Sequence, residues 1–263
     1  MVQTVQSTCQ MCGGFTIPFW KRARIFGCRS CGMLSLCELP SQGHLSDYYE
    51  RIWKSPIENA EGKGGTDRRL AQLFADSLAR TLNLENFRGL RLLEFGAGRG
   101  HMMVALNDAG AEIYGVDLYS SAELQCLGLK AFRDFADLPV GISFDGIVCM
   151  EVIEHLSEPW VIFERLKNLL RPGGWILITT PNAKGLNAWL TRSNWRELKN
   201  PGHLFFFTPK SLDKFLRRCG YSNPQRLKWR INYGTRLTTR LTNAILQNLR
   251  LDGGLKYLAY RQS

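Results

Sequence analysis

Residues 91–102 read RLLEFGAGRGHM: an apolar rise through Leu92 and Leu93, an acid at Glu94, then glycines at 96, 98 and 100. The apolar run predicts a buried strand, and the glycine-rich exit leading into HMMVALNDAG predicts a loop and then a helix closed by Gly110. Dinucleotide-binding loops space their glycines GxGxxG, because the pyrophosphate rests on amides of the following helix. Here the spacing is GxGxG, and Glu94 stands two residues before the first glycine. A carboxylate repels a pyrophosphate and attracts an ammonium or sulfonium, so the loop suits a cation and argues against a nicotinamide dinucleotide.

Working outward, strands and helices alternate from residue 90 onward. EIYGVDL, LKAFRD, FDGIVCM and WILITTPN read as the next four strands, and PWVIFERLKNLL as a helix stopped by the Arg-Pro-Gly-Gly turn at 171–174. TPKSLDKFLRRCGY reads as a helix with Thr208 as cap and Pro209 in its first turn, and GGLKYLAYRQ as a closing strand. The pattern predicts an α/β fold with a doubly wound, mostly parallel, Rossmann-like sheet and an antiparallel edge strand. Asp117 ends the second strand 21 residues past Gly96, where an acid accepts both ribose hydroxyls of a nucleoside; Asp134 ends the third and is placed to meet an adenine amino group.

An adenosine with a cationic amino-acid tail is S-adenosylmethionine (SAM), and at this point the chain resembles the class I methyltransferases. The resemblance is carried by LLEFGAGRG, GVDLY, RDFADLP, FDGIVCMEVIEHL and LLRPGGWILITTPN, and runs from about residue 70 to about residue 220. It implies a seven-stranded sheet. It also implies that Glu94 and the backbone of Gly96, Ala97 and Gly98 hold the methionine end, Asp117 the ribose, and that Asp134 and Phe135 flank the adenine, with Gly100, Leu118 and Met150 completing the cofactor-binding set. EVIEHL and GHLFFFTPKSL resemble the branch that includes ubiquinone-biosynthesis O-methyltransferases and enzymes of sugar and envelope-polysaccharide pathways.

For the acceptor, methyl transfer needs alignment, plus a base when a hydroxyl must lose its proton. Glu151, Glu154 and His155 follow the fourth strand and His203 follows the fifth, at the sheet edge where ligands of open α/β folds bind. Of these, Glu151, His155 and His203 are the candidate catalytic residues. Trp189, Arg192, Trp195, Arg196 and Lys199 are expected to wall the acceptor site. The acceptor expected is a small or lipid-linked, anionic molecule of the sugar, glycolipid or quinone type. An RNA acceptor and a non-catalytic SAM-binding scaffold are the alternatives.

Upstream, TCQMCGG at 8–14 faces GCRSCGM at 27–33. Cys9 and Cys12 answered by Cys28 and Cys31 predict a four-thiolate structural zinc site, with glycines letting each knuckle fold back. The chain therefore divides into a zinc-ribbon-like module (1–40), a lid or bridging segment (41–85) in which Asp67 caps an amphipathic helix, and a SAM-binding domain (86–263). The other four cysteines, Cys37, Cys126, Cys149 and Cys219, are scattered and expected to be reduced.

The 263-residue chain carries a net charge of +11. Residues 184–263 hold 16 Lys and Arg against 3 Asp and Glu, so the excess is entirely C-terminal. In 230–251 an apolar stripe (Leu237, Leu241, Ala244, Ile245, Leu249) and a polar, basic side (Arg236, Arg240, Asn243, Gln247, Arg250) predict an amphipathic helix that rests on anionic lipid, on a phosphate-bearing acceptor or on the domain. No apolar run is long enough for a membrane span, and MVQTVQSTCQ has no secretory pattern. The expectation is a cytoplasmic protein with peripheral contact at the inner membrane face.

Overall fold

The computed structural model describes residues 8–53, 68–229 and 251–262, together with positions 245, 246, 248 and 249. Asp67 and most of the basic 231–250 stretch lie outside these residues.

The chain opens with three short antiparallel strands, β1 (Thr16–Trp20), β2 (Ile25–Cys28) and β3 (Leu34–Leu36), followed by helices α1 (Gln42–Trp53) and α2 (Arg68–Thr81). Then come β4 (Arg91–Phe95), α3 (His101–Asp108), β5 (Glu112–Val116), α4 (Ser121–Cys126), β6 (Ala131–Phe132) and β7 (Phe144–Met150). Helix α5 (Pro159–Leu169), β8 (Leu170–Pro181), α6 (Leu186–Thr191), β9 (Phe205–Phe206), α7 (Pro209–Arg218), β10 (Tyr221–Arg226) and β11 (Gly254–Arg261) complete it.

The large sheet has seven strands in the order β10-β11-β8-β7-β4-β5-β6. The β6, β5, β4, β7 and β8 pairings are all parallel, while β11 is antiparallel to both β8 and β10. The antiparallel strand expected at the edge is thus present one place in from the rim, with β10 covering it. Period-2 alternation divides the core between the two faces. Leu92, Val148 and Leu177 face Phe74 and Leu78 of α2 and Met103 and Leu106 of α3, whereas Leu93, Ile147 and Ile178 face Phe163 of α5 and Phe215 of α7. Each such side chain contributes about 1.5–3 kcal/mol on burial, which is why a near-continuous apolar strand needs helices on both sides.

Two local readings needed tertiary context. The third parallel strand is only Ala131–Phe132, because the chain turns off at the rim into a capping box: the Asp134 carboxylate accepts from the Ala136 amide, and Asp137 accepts from the Asp134 amide. The Arg171–Gly174 turn is absorbed into the start of β8, with Gly173 at φ +76 and a register shift opposite Phe144–Gly146. Gly146 has to be glycine there, since a Cβ would stand 2.1 Å from the Trp175 ring.

The small sheet is four-stranded, β1-β2-β3-β9. Its fourth strand comes from far along the chain: Leu34 pairs with Phe206 and Ser35 with Phe205. Among the described residues no helix is long and apolar enough to cross a membrane.

Candidate active site

The carboxyl ends of β4, β5, β6 and β7 lie side by side, with Phe95 opposite Val116 and Val116 opposite Phe132. Gly96, Gly98 and Gly100 all have positive φ (+75, +53 and +72), a conformation costly for residues with a Cβ. At Gly96 space forbids a side chain as well, because a Cβ would fall 2.3 Å from Val152 Cγ2 at the β7 exit. The loop is fastened by Asp117: its Oδ2 accepts the Gly98 N–H at 2.9 Å, and its Oδ1 accepts the Tyr119 and Ser120 N–H groups at 2.9 and 3.0 Å.

Glu94 is 4% exposed and its Oε2 has no hydrogen-bond partner. Burial pushes its carboxyl well above the usual range; the Met103 amide opposes that, and the Asp117 charge adds to it. A buried carboxylate oxygen without a partner beside a glycine loop fits a cationic ligand, whose arrival would restore the ionised form. Phe135 stacks on Phe95 at 5.2 Å and 12°. Leu118 is exposed at the β5 exit, Met150 is half-buried at the β7 exit, and Asp134 is exposed on the rim. All the residues expected at the cofactor are therefore gathered along four adjacent strand ends. Ser120 joins them, its buried Oγ also unpartnered.

Beyond Met150 the chain is strained, with Glu151 at φ +54, and enters a 3-10 turn over Ile153–His155. Thr179 and Thr180 of β8 point to opposite faces of the sheet and divide the two acids of MEVIEHL between them. Thr179 Oγ1 donates to Glu151 at 2.9 Å; Thr180 Oγ1 donates to Glu154 Oε2 at 2.9 Å. Glu151 ends exposed, on the face of the buried Lys256 of β11, whereas Glu154 is buried with Oε1 unpartnered. Of the three candidate catalytic residues the structure brings together His155 and His203, whose rings are 4.5 Å apart, and places Glu154 rather than Glu151 beside them. Donor atoms of Glu154, His155 and His203 lie within 4.8 Å of one another, a carboxylate–imidazole set able to hold a divalent cation.

Both imidazoles are held neutral. Burial, then the neighbouring His203, drives His155 down to about 3 against the pull of the Gly202 carbonyl. Burial likewise drives His203 down to about 4. His203 Nδ1 has no hydrogen-bond partner and stands 3.7 Å from Glu197 Oε2, while Arg196 grips the other Glu197 oxygen at 2.8 and 3.0 Å. His155 Nδ1 is 2.6 Å from the Tyr49 hydroxyl and 3.0 Å from the Gly202 carbonyl. Tyr49 also packs on Tyr119, at 5.4 Å, so α1 touches both the nucleoside end and the histidine pair. The neighbouring Tyr48 hydroxyl donates to Asn200 at 3.0 Å. Gly202 allows this approach, since a Cβ would meet the Tyr49 oxygen at 2.3 Å.

The four cysteines of the N-terminal knuckles also converge. Cys9 and Cys31 Sγ are 3.6 Å apart, Cys12 and Cys28 Sγ are 3.5 Å apart, and all four lie within 4.8 Å. A tetrahedron with metal–sulfur bonds of about 2.3 Å has sulfurs about 3.8 Å apart, which this set fits. The knuckle backbone closes as the CxxCG spacing predicts: the Gly13 and Gly32 amides donate to the Cys9 and Cys28 carbonyls. Met11 and Met33 are buried in the main core, Lys214 donates to the Ser30 carbonyl at 2.8 Å, and Arg218 donates to the Met11 carbonyl. The Leu36 amide donates to the Leu204 carbonyl at 3.1 Å, so the module holds the residue next to His203.

A family model described as a methyltransferase domain matches residues 66–225, more than half of the chain. The chain belongs to the class I SAM-dependent methyltransferases. This methyltransferase is 29% identical over 176 residues to the ubiquinone biosynthesis O-methyltransferase of Dinoroseobacter shibae, covering 57% of this chain and 68% of that one. It is 30% identical over 105 residues to the protein of the same name from Paraburkholderia phymatum, covering 36% of this chain and only 45% of that one. Among solved structures, magnesium protoporphyrin IX methyltransferase of Synechocystis, with bound SAH, superposes with a TM-score of 0.56 at 19% identity, over 84% of this chain and 100% of that one. The 1,6-didemethyltoxoflavin-N1-methyltransferase of Burkholderia thailandensis, also with SAH, superposes with a TM-score of 0.57 at 16% identity, over 89% and 97%. These two likenesses concern the fold. The cysteine knuckles and α1 of this methyltransferase lie outside the span of the family model.

Tyr49, Glu197 and Asn200 are site residues of the methyltransferase that the sequence does not single out, whereas Glu154 is among the acids it places at the fourth strand's end. Tyr-Tyr in SDYYE was the available signal for the first; nothing local marks Glu197. Trp195, expected in the acceptor wall, is instead buried between Trp20 and Phe206, with ring centroids 6.0 Å from each.

Proposed function

We propose that this methyltransferase methylates a hydroxyl group on a small or lipid-linked acceptor of the sugar, glycolipid or quinone type, with His203 as the base. The observation that carries the reading is the buried, neutral imidazole of His203, unpartnered at Nδ1 and backed by Glu197, next to His155 at the carboxyl end of β7 and β8. Glu94 and the glycine-loop amides hold the methionine end of SAM, Asp117 and Ser120 face the ribose, and Phe135, Leu118 and Met150 enclose the adenine. When bound, SAM supplies a methyl carbon activated by its sulfonium. With SAM bound, His203 would accept the proton of the acceptor hydroxyl as that oxygen takes the methyl group. Glu197 stabilises the imidazolium that develops, compensating for the weak basicity that burial imposes. His155, held by Tyr49 and Gly202, orients the acceptor. Cys9, Cys12, Cys28 and Cys31 bind one structural zinc, whose role is to fix the segment carrying His203.

The ubiquinone O-methyltransferase names of the sequence relatives support oxygen as the target. The test is transfer from methyl-labelled SAM into cell extract, with and without ribonuclease, followed by fractionation. Label in a lipid or saccharide fraction that survives ribonuclease is expected. Ribonuclease-sensitive label would establish an RNA acceptor instead, and SAM binding with no transfer to any fraction would leave a scaffold.

A further inference from the structure

The outer side of the N-terminal sheet is apolar where a solvated edge would be polar. Along β1, Thr16 turns inward, while Phe15, Ile17 and Phe19 point out and are 71%, 37% and 46% exposed. Across a groove of about 660 Å³, Trp189 and Leu190 at the end of α6 are 64% and 63% exposed. Folded chains seldom leave so many large apolar groups contiguous without a partner. Basic residues rim the same patch: Lys184 and Arg192 line the groove, and the Lys21–Ala23 turn abuts the Arg192–Asn194 turn, which brings Lys21 and Arg22 to that rim.

No Asp or Glu occurs between residues 8 and 37, or between residues 183 and 196. The groove lining likewise holds Lys184 and Arg192 and no acid, and that sign selects the occupant. Against a second copy, an isologous contact would set cations against cations. Polynucleotide phosphates would satisfy the cations and leave Ile17, Phe19 and Leu190 wet. An anionic bilayer satisfies both at once, with aromatic and aliphatic side chains at the acyl boundary and Lys and Arg at the headgroups. The patch is also rigidly joined to the active site, through Trp20 on Trp195, Trp195 on Phe206, and β9 leading back to His203.

We infer that the face formed by β1 and α6 docks the protein on an anionic membrane surface through Phe15, Ile17, Phe19, Trp189 and a Lys/Arg rim. The reading bears on how a lipid-linked acceptor reaches the site, but it stands on the patch itself. In flotation with phosphatidylcholine vesicles, and with vesicles containing one quarter phosphatidylglycerol, the full chain should bind the second kind and release it at high salt. Ile17→Ser/Phe19→Ser should weaken partitioning about ten-fold or more, and Lys21→Glu/Arg22→Glu should do the same while flattening the salt dependence, since each basic residue near an anionic surface is worth roughly a five-fold factor. Unchanged melting temperature and SAM binding in both variants show that the fold is intact. No preference for phosphatidylglycerol, wild-type partitioning of both variants, or a concentration-dependent dimer abolished by the same substitutions would each overturn it. Methyl transfer to a water-soluble acceptor does not depend on this face, so its loss would count against the proposed chemistry and not against the docking surface.

Discussion

The two ends of the active site are built differently. At the cofactor end, Glu94, Gly96, Gly98, Gly100, Asp117 and Ser120 come from one strand–loop–helix–strand unit, and most of what holds them is backbone, the Asp117 carboxylate gathering amides from both sides. At the acceptor end, Tyr49, Glu154 with His155, and Glu197 with His203 arrive from three separated segments, held by side chains and by a sheet that reaches back to the cysteine knuckles. A unit closed over few residues is set by local spacing. A site closed over some 150 residues depends on every contact that holds its segments in register.

The largest effect should fall on the acceptor end from a distance. The proposed zinc is tested by a strong chelator or by Cys28→Ser, either of which should unfold the knuckles, since structural zinc supplies on the order of 10 kcal/mol to such modules. Because β3 pairs with β9, turnover should collapse while calorimetric SAM affinity changes little; equal loss of both would mean that the two ends are one cooperative unit. Next, His203→Ala should lower kcat by about 10²- to 10⁴-fold with SAM affinity retained, the range of a general base. Full activity would remove His203 from the chemistry.

At the cofactor end, Glu94→Gln should weaken SAM by about ten- to a hundred-fold, the loss of one charge-assisted contact of roughly 1.5–3 kcal/mol. The ligand-free protein should respond oppositely. Because burial raises the Glu94 pKa in the fold, ionisation above the ordinary 4.5 costs stability progressively as pH rises towards the raised value. Glu94→Gln should remove that loss and raise the melting temperature near neutrality, and a lowered one would refute the strained carboxylate. The two histidines act in the other direction: with pKa values near 3 and 4 in the fold, they withhold stability as pH falls from 6.5 through that window, and His203→Ala should flatten the acid limb. The smallest change is Tyr49→Phe. Loss of one hydrogen bond should reduce kcat several-fold and shift its pH profile while lowering stability by only about 0.5–1.5 kcal/mol.

Legibility followed the same division. That Glu94, the glycines and Asp117 meet at adjacent strand ends, and that the four cysteines converge, was readable because residue type at fixed spacing decides it. In the large sheet the strands were readable from apolar runs, apart from the length of β6, where the rim of the sheet cuts pairing to two residues, and β10, whose YSNPQR has no apolar alternation to announce it; the short strands β1, β2, β3 and β9 of the small sheet were not. The two histidines were named because the strand ends of an α/β sheet gather ligands. Both acids of MEVIEHL stand out in the sequence, but which of them lies beside the histidines depends on which threonine of β8 each acid meets.

Sequence by itself determined that a parallel sheet forms, that a cation-favouring loop follows its first strand, and that four thiols can close on one another, because backbone geometry and short-range spacing leave little else to those residues. Only the tertiary structure decided that α1 brings Tyr49 onto His155, that β9 ties the knuckles to the His203 segment, and that β1 and α6 gather exposed apolar side chains beside a basic rim. Those contacts join residues far apart in the chain, and they form only when the whole core has packed.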